Sequence, residues 1–207
     1  LKMNELDRIF SKSVSEESFA NAYIKHLTII LSKIDTKEIS NFINILLDAR
    51  NRDATIFFMG NGGSAATAAH FANDIGVGVG VNAHKNNPFR VISLVDNCAV
   101  ITAISNDDGY ENVFSKQLQV LMKKGDVVVA ISASGNSKNL LEAFKYAEQN
   151  GGITFGITAF DGGELKKNAH HGIHISTGTK EYGPAEDVHM IINHLVSVYL
   201  IRLINKK

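Results

Sequence analysis

From Thr55 onward the chain alternates short, uninterrupted apolar runs with stretches of helical periodicity. That alternation constrains the fold more than any other feature. The runs at Thr55–Met59, Arg90–Leu94, Val127–Ile131, Thr154–Thr158 and Gly172–Ile175 read as strands. Helices are predicted at about Ser64–Ile75, Ala99–Ala103 with Tyr110–Met122, Ser137–Gln149, Gly163–Ala169 and Glu186–Asn205. Strands that are apolar throughout need cover on both faces, and strands separated by helices pair in parallel. The predicted fold class is therefore α/β, a doubly wound parallel five-stranded sheet flanked by helices.

Residues 1–50 contain no Gly or Pro, which favours long helices. Between Phe19 and Ile34 the residues Ala22, Ile24, Leu27, Ile30, Leu31 and Ile34 recur at three- and four-residue spacings. Asp35-Thr36 ends that helix. A second, from about Lys37 to Arg50, carries Ile39, Phe42, Ile43, Leu46 and Leu47 on one face. The expectation is an N-terminal helical part (1–50), packed on the core or on a partner subunit, ahead of a ligand-binding domain (51–207).

The 207 residues are 44% hydrophobic and 20% charged, enough apolar material for a real core. Lys plus Arg and Asp plus Glu both number 21, so there is no basic excess to hold nucleic acid or an anionic membrane surface. One cysteine, Cys98, excludes an intramolecular disulfide and a cysteine-built zinc cluster within one chain. No run approaches about 18 uninterrupted apolar residues, so no membrane-spanning helix is expected. The opening LKMNELDRIFSKSVSEE is too polar for the core of a secretory signal. The chain reads as a soluble cytoplasmic protein.

In such folds ligands bind beyond the carboxyl ends of the strands. Two of those turns stand out. The first predicted strand is followed by Gly60-Asn61-Gly62-Gly63-Ser64 and a helix; the third by Ser132-Ala133-Ser134-Gly135-Asn136-Ser137 and another helix. Glycines admit close backbone approach, hydroxyls donate to phosphate oxygens, and a helix N-terminus favours an anion. Each turn alone is equally a tight turn with one helix cap. The two together point to a phosphorylated small ligand. On the helix after the first turn, His70 and Asp74 stand four apart and share a face, as a polar pair or as two ligands of a divalent metal. His170, His171 and His174 read as solvent-facing loop and strand residues.

GNGGS with SASGNS resembles the SIS (sugar isomerase) domain family of phosphosugar-binding proteins, which share a flavodoxin-like sandwich. Within it the chain is most similar to the phosphoheptose isomerases. GNGGSAATAAHFANDIG, ISNDDGYENVFSKQL, GDVVVAISASGNSKNLLEA and the helical C-terminus carry the resemblance. It implies that Ser64, Ser132, Ser134 and Ser137 hold the phosphate, with Ala133 where the isomerases often have threonine. It implies that Asn61, Gly62 and Gly63 line the substrate, and that Asn106 and Asp107, on a middle loop, bond sugar hydroxyls. It also implies one zinc ion per active site, held by His70, Asp74, Glu186 and His194. Asp74 stands where the family has a glutamate, and Glu186 where it has a glutamine.

The resemblance further implies an aldose–ketose isomerase acting on sedoheptulose 7-phosphate through an enediol, in heptose biosynthesis for lipopolysaccharide or capsule. Asp74 would move the proton between C1 and C2. His194 would serve as metal ligand or as acid at the carbonyl oxygen. Related proteins are homotetramers with sites at subunit boundaries. Two features of the C-terminal helix bear on the metal site. Glu186 and His194 are eight residues apart, a rise of about 12 Å in regular helix. They meet one ion only if the helix is irregular or begins after Glu186, and Pro184 suits a start near there. Asp187 is the other acidic candidate, and His189 packs or supports His194. The competing readings are a non-catalytic SIS interaction protein of the replication-initiator-binding type and an isomerase of another phosphosugar.

Overall fold

The computed structural model describes residues 3–79 and 87–205. Its strands are β1 (Thr55–Gly60), β2 (Arg90–Ser93), β3 (Val127–Ser132), β4 (Ile153–Thr158) and β5 (His171–His174). They pair in parallel in the order β2-β1-β3-β4-β5. Every position of β1 and β3 is buried, whereas β2 and β5 alternate toward solvent. The apolar runs therefore sit at the centre of the sheet and the mixed ones at its edges, as the pattern predicts.

Strand residues split between two cores by parity. Ile56, Phe58, Val127, Val129, Ile131, Phe155 and Ile157 face one side. There they meet α3 (Thr36–Asn51), α4 (Gly63–Phe71) and α9 (Tyr182–Ile204). Phe42 of α3 stacks on Phe155 with ring centroids 4.3 Å apart, and Phe71 of α4 on Phe58 at 4.9 Å. Phe57, Met59, Val128 and Ala130 face the other side. That side is covered by α5 (Cys98–Asp108), α6 (Ser115–Leu121), α7 (Lys138–Gln149) and α8 (Gly163–Asn168). Helices on both faces make the sheet doubly wound.

Four details depart from the sequence-based expectation. The N-terminal part holds three helices, not two: α1 (Glu5–Lys12) and α2 (Glu16–Leu31) precede α3. Ser15 caps α2 by accepting from Ser18 N. That serine pair breaks the chain without the Gly or Pro that would announce it. The helix after β1 widens into a π-helix over Ala72–Val79. α9 begins at Tyr182 and runs without interruption, Pro184 lying in the first turn, where its missing N–H leaves no bond unmade. Glu181 holds that start. It is 1% exposed and accepts from Glu5 N at 2.7 Å and Gly178 N at 3.0 Å, with His26 Nε2 at 3.1 Å. Burial pushes its proton affinity up, but His26 and the two N–H groups outweigh that and hold its pKa below the usual range. Finally, α9, at 23 residues, is long and apolar enough to cross a membrane. A count of uninterrupted apolar residues misses it because His189, Asn193 and His194 interrupt the run. In this fold its Val188, Ile192, Val196 and Leu200 pack into the first core.

His189 lies on that buried face, and among the described residues neither ring nitrogen has a hydrogen-bond partner. Burial pushes its pKa down to about 4. The unfolded chain takes up this proton near pH 6.5 while the folded chain refuses it until about pH 4. Stability is therefore lost as pH falls through that window, by about 3 kcal/mol. Thermal melts from pH 7.5 to 4 should show His189→Leu losing markedly less stability than the parent. Parallel curves would remove His189 from the account.

Candidate functional site

The strand order reverses between β1 and β3: the chain leaves β1 toward one face and β3 toward the other, opening a crevice where ligands of such folds bind. The two serine- and glycine-rich turns flank this crevice. Neither α4 nor α7 has a side-chain cap, since Gly62 has none to offer and the Ser137 side chain makes no capping bond. The first N–H groups of both helices are thus open to an anion. Ser64 and Ser132 are buried, Ser134 and Ser137 half-buried, and Ala133 buried. Ser132 Oγ accepts from Gly135 N at 3.0 Å, which fixes the turn. The two turns are tied together by reciprocal amide bonds: Asn61 Nδ2 donates to Asn139 Oδ1 at 3.0 Å, and Asn139 Nδ2 to Asn61 Oδ1 at 2.9 Å.

His70, Asp74 and His194 come together beside the crevice. His70 Nε2 is 3.2 Å from His194 Nε2 and 3.2 Å from Asp74 Oδ2. One nitrogen or oxygen from each residue lies within 4.8 Å of the other two. Asp74 stands on the π segment, whose wider turn begins between the two members of the His70/Asp74 pair. Asn193, fully buried, donates from Nδ2 to Asp74 Oδ2 at 3.0 Å.

Glu186 is not in that cluster. α9 lies alongside α4, with His194 against His70 and Glu186 against Gly63, so the rise of about 12 Å along regular helix separates the two α9 residues. A methyl group on Gly63 would collide with the Glu186 carboxylate. Burial first, and then the charge of Asp187, pushes the Glu186 pKa above the usual range. Asp187 is engaged elsewhere, accepting from Tyr23 Oη at 2.5 Å. Asn106 and Asp107 lie on the last turn of α5 rather than in a loop; both are exposed, and Asn106 Nδ2 donates to Asp107 Oδ1 at 2.8 Å. Tyr110, just beyond, reaches Asn61 Oδ1 at 2.8 Å and links this segment to the first turn. His170 and His171 are exposed and His174 half-buried, with Nδ1 of His170 and of His174 on Thr154 and Thr158.

Tyr110, Asn139 and Asn193 are the residues that the sequence pattern does not single out. Asn193 carries a faint signal, as a polar residue on the apolar face of a helix. Asn139 sits two residues past the second serine turn, where only the fold reveals its partner.

The family model described as SIS domain matches residues 22–159. The phosphoheptose isomerase of Maridesulfovibrio salexigens is 40% identical over 142 residues, 68% of this chain and 66% of that protein. That of Geobacter metallireducens is 35% identical over 161 residues, 78% of this chain and 82% of that protein. The solved phosphoheptose isomerase of Neisseria gonorrhoeae superposes with a TM-score of 0.79 at 27% identity, over 90% of this chain and 98% of that one. The chain belongs to the SIS domain family, and within it to the phosphoheptose isomerases.

Proposed function

We propose that the protein interconverts sedoheptulose 7-phosphate and D-glycero-D-manno-heptose 7-phosphate. The observation that carries the reading is the convergence of His70, Asp74 and His194 a short way along α4 from the two phosphate-type turns. A phosphate held by Ser64, Ser132, Ser134, Ser137 and the two helix N-termini anchors one end of the sugar. That grip supplies binding energy far from the reacting carbons. Asn61, Gly62, Gly63, Asn106, Asp107 and Glu186 then face the hydroxyls between.

Two imidazoles and one carboxylate would suit a divalent ion of the zinc type. Held by His70, Asp74 and His194, such an ion supplies a Lewis acid for the substrate carbonyl oxygen. Asp74 Oδ2 is engaged by His70 and Asn193, while Oδ1 meets only an exposed contact from Asn73 Nδ2 among the described residues, so Oδ1 is the base. Oδ1 takes the proton from C1 of the ketose while the carbonyl oxygen at C2 gains one, giving the enediol. It then returns the proton to C2 as the C1 hydroxyl proton leaves, giving the aldose. His194 serves either as ligand to that ion or, where it holds none, as the acid at the carbonyl oxygen. We further propose a homotetramer. Ile191, Leu195, Val198, Tyr199 and Leu203 form an exposed apolar stripe along α9 suited to burial between subunits.

The test is the reaction itself, followed by NMR with purified protein and sedoheptulose 7-phosphate. Appearance of the aldoheptose phosphate supports the reading. Binding without turnover would favour a non-catalytic interaction protein or another phosphosugar. Ser134→Ala, which removes one hydroxyl from the second turn, is expected to raise KM about tenfold with kcat little changed. Steady-state kinetics read both, and an unaltered KM would take Ser134 out of the phosphate site.

A further inference from the structure

We propose that Asn193 is a positioning residue for the Asp74 carboxylate, an inference that rests on the reading of Asp74 given above. Asn193 is fully buried on a helix face made mostly of Val188, Ile192, Val196 and Leu200, with His189 one turn before it and Ser197 one turn after. Its Nδ2 donates to Asp74 Oδ2 at 3.0 Å and lies 3.9 Å from Met190 Sδ, while its Oδ1 has no hydrogen-bond partner among the described residues. Half of its polar capacity is thus unmet in the core, which is destabilising next to an apolar side chain of the same size. The bond to Asp74 is what the amide provides in return.

The geometry explains what that bond does. Asp74 has a short side chain on a π-helical segment, 20% exposed. His70 Nε2 at 3.2 Å and Asn193 Nδ2 at 3.0 Å converge on the same oxygen, Oδ2. Among the described residues Oδ1 meets only Asn73 Nδ2 at 3.2 Å, in an exposed contact. The His70 ring and the Asn193 amide, from separate helices and the amide fixed in the core, therefore flank one carboxylate oxygen and aim the other outward. The amide cannot turn over without setting its oxygen against Asp74 Oδ2, so the carboxylate also fixes the amide. Asn193 is fully buried and acts through Asp74.

Asn193→Leu keeps the volume and removes the donor. Its melting temperature should be unchanged or higher, its KM for sedoheptulose 7-phosphate within about twofold, and its kcat about 10- to 100-fold lower. Cobalt(II) titration, read by absorption and independent of turnover, should show about tenfold weaker binding. Asp74→Glu, one methylene longer, should restore both in the Asn193→Leu background, which a merely structural defect would not allow. The proposal is overturned if N193L keeps kcat and cobalt affinity within about twofold of the parent, or if its losses follow a fall in melting temperature that D74E does not rescue. If the parent itself does not turn over the heptose phosphate, the functional reading fails while the cobalt comparison still decides the role of Asn193. A crystal structure of metal-free N193L decides it regardless of activity: an Asp74 carboxylate displaced from His70 supports positioning, and one still in contact overturns it.

Discussion

Replacing His194 by alanine is expected to cut turnover of sedoheptulose 7-phosphate about 10³-fold while its affinity for the same sugar phosphate stays within about threefold. The exposed His194 ring projects from α9 to within 3.2 Å of His70 Nε2, away from the serine turns at the starts of α4 and α7. On the proposed reading, removing it takes away either a metal ligand or the acid beside the carbonyl, and leaves the phosphate grip intact. Because the ring is exposed, stability should change by less than about 0.5 kcal/mol. Steady-state kinetics, with a thermal-shift titration for affinity, read both halves. An H194A protein of parental activity would show that the reaction does not pass through this cluster.

Gly135→Ala is expected to destabilise the protein by about 3–5 kcal/mol. Gly135 sits in the middle of the second serine turn at φ 65°, a left-handed conformation strained for alanine. A β-carbon there would also collide with the carbonyl oxygen of Gly162, and backbone cannot yield as a flexible side chain would. The approach is held from the other side by Leu165 N, which donates to Gly135 O at 2.9 Å. For a chain of this length the change corresponds to a melting temperature lower by roughly 10 °C. Gly62→Ala is the control. Gly62 also has a positive φ, 55°, but no described atom lies within 4 Å of its added carbon, so only the conformational part, about 2–3 kcal/mol at ψ −126°, remains. Equal melting temperatures for the two variants would mean that the second turn is not held by α8.

These expectations draw on features of unequal legibility. The strands can be read from sequence because β1 and β3 are buried on both faces, so TIFFMG and VVVAIS have no polar alternation to blur. The serine turns can be read because glycine is needed there for conformation and, on the proposed reading, serine for its hydroxyls. His70 and Asp74 can be read because one helical turn relates them. The π segment cannot: ANDIGVGV has no periodicity that separates a wide turn from an α-turn. Nor can the early start of α9, which depends on Glu181 being held by α1 and α2, more than 150 positions away. The same holds for the amides that finish the site. Asn193 meets Asp74 across 119 positions, Asn139 meets Asn61 across 78 and Tyr110 meets Asn61 across 49, all through folding rather than pattern. Glu186 shows what local arithmetic can do. Helical rise alone predicts that it and His194 cannot share one ion in a regular helix, and α9 is regular through both.

The most direct test of the account is the rate of sedoheptulose 7-phosphate isomerisation by protein stripped with a chelator, before and after one equivalent of zinc per chain is restored, with bound metal quantified each time. The His70, Asp74 and His194 cluster predicts that the stripped protein still binds the sugar phosphate, that its turnover falls by about 10² or more, and that activity returns as the single site fills. Full activity in protein shown to be free of metal would contradict it.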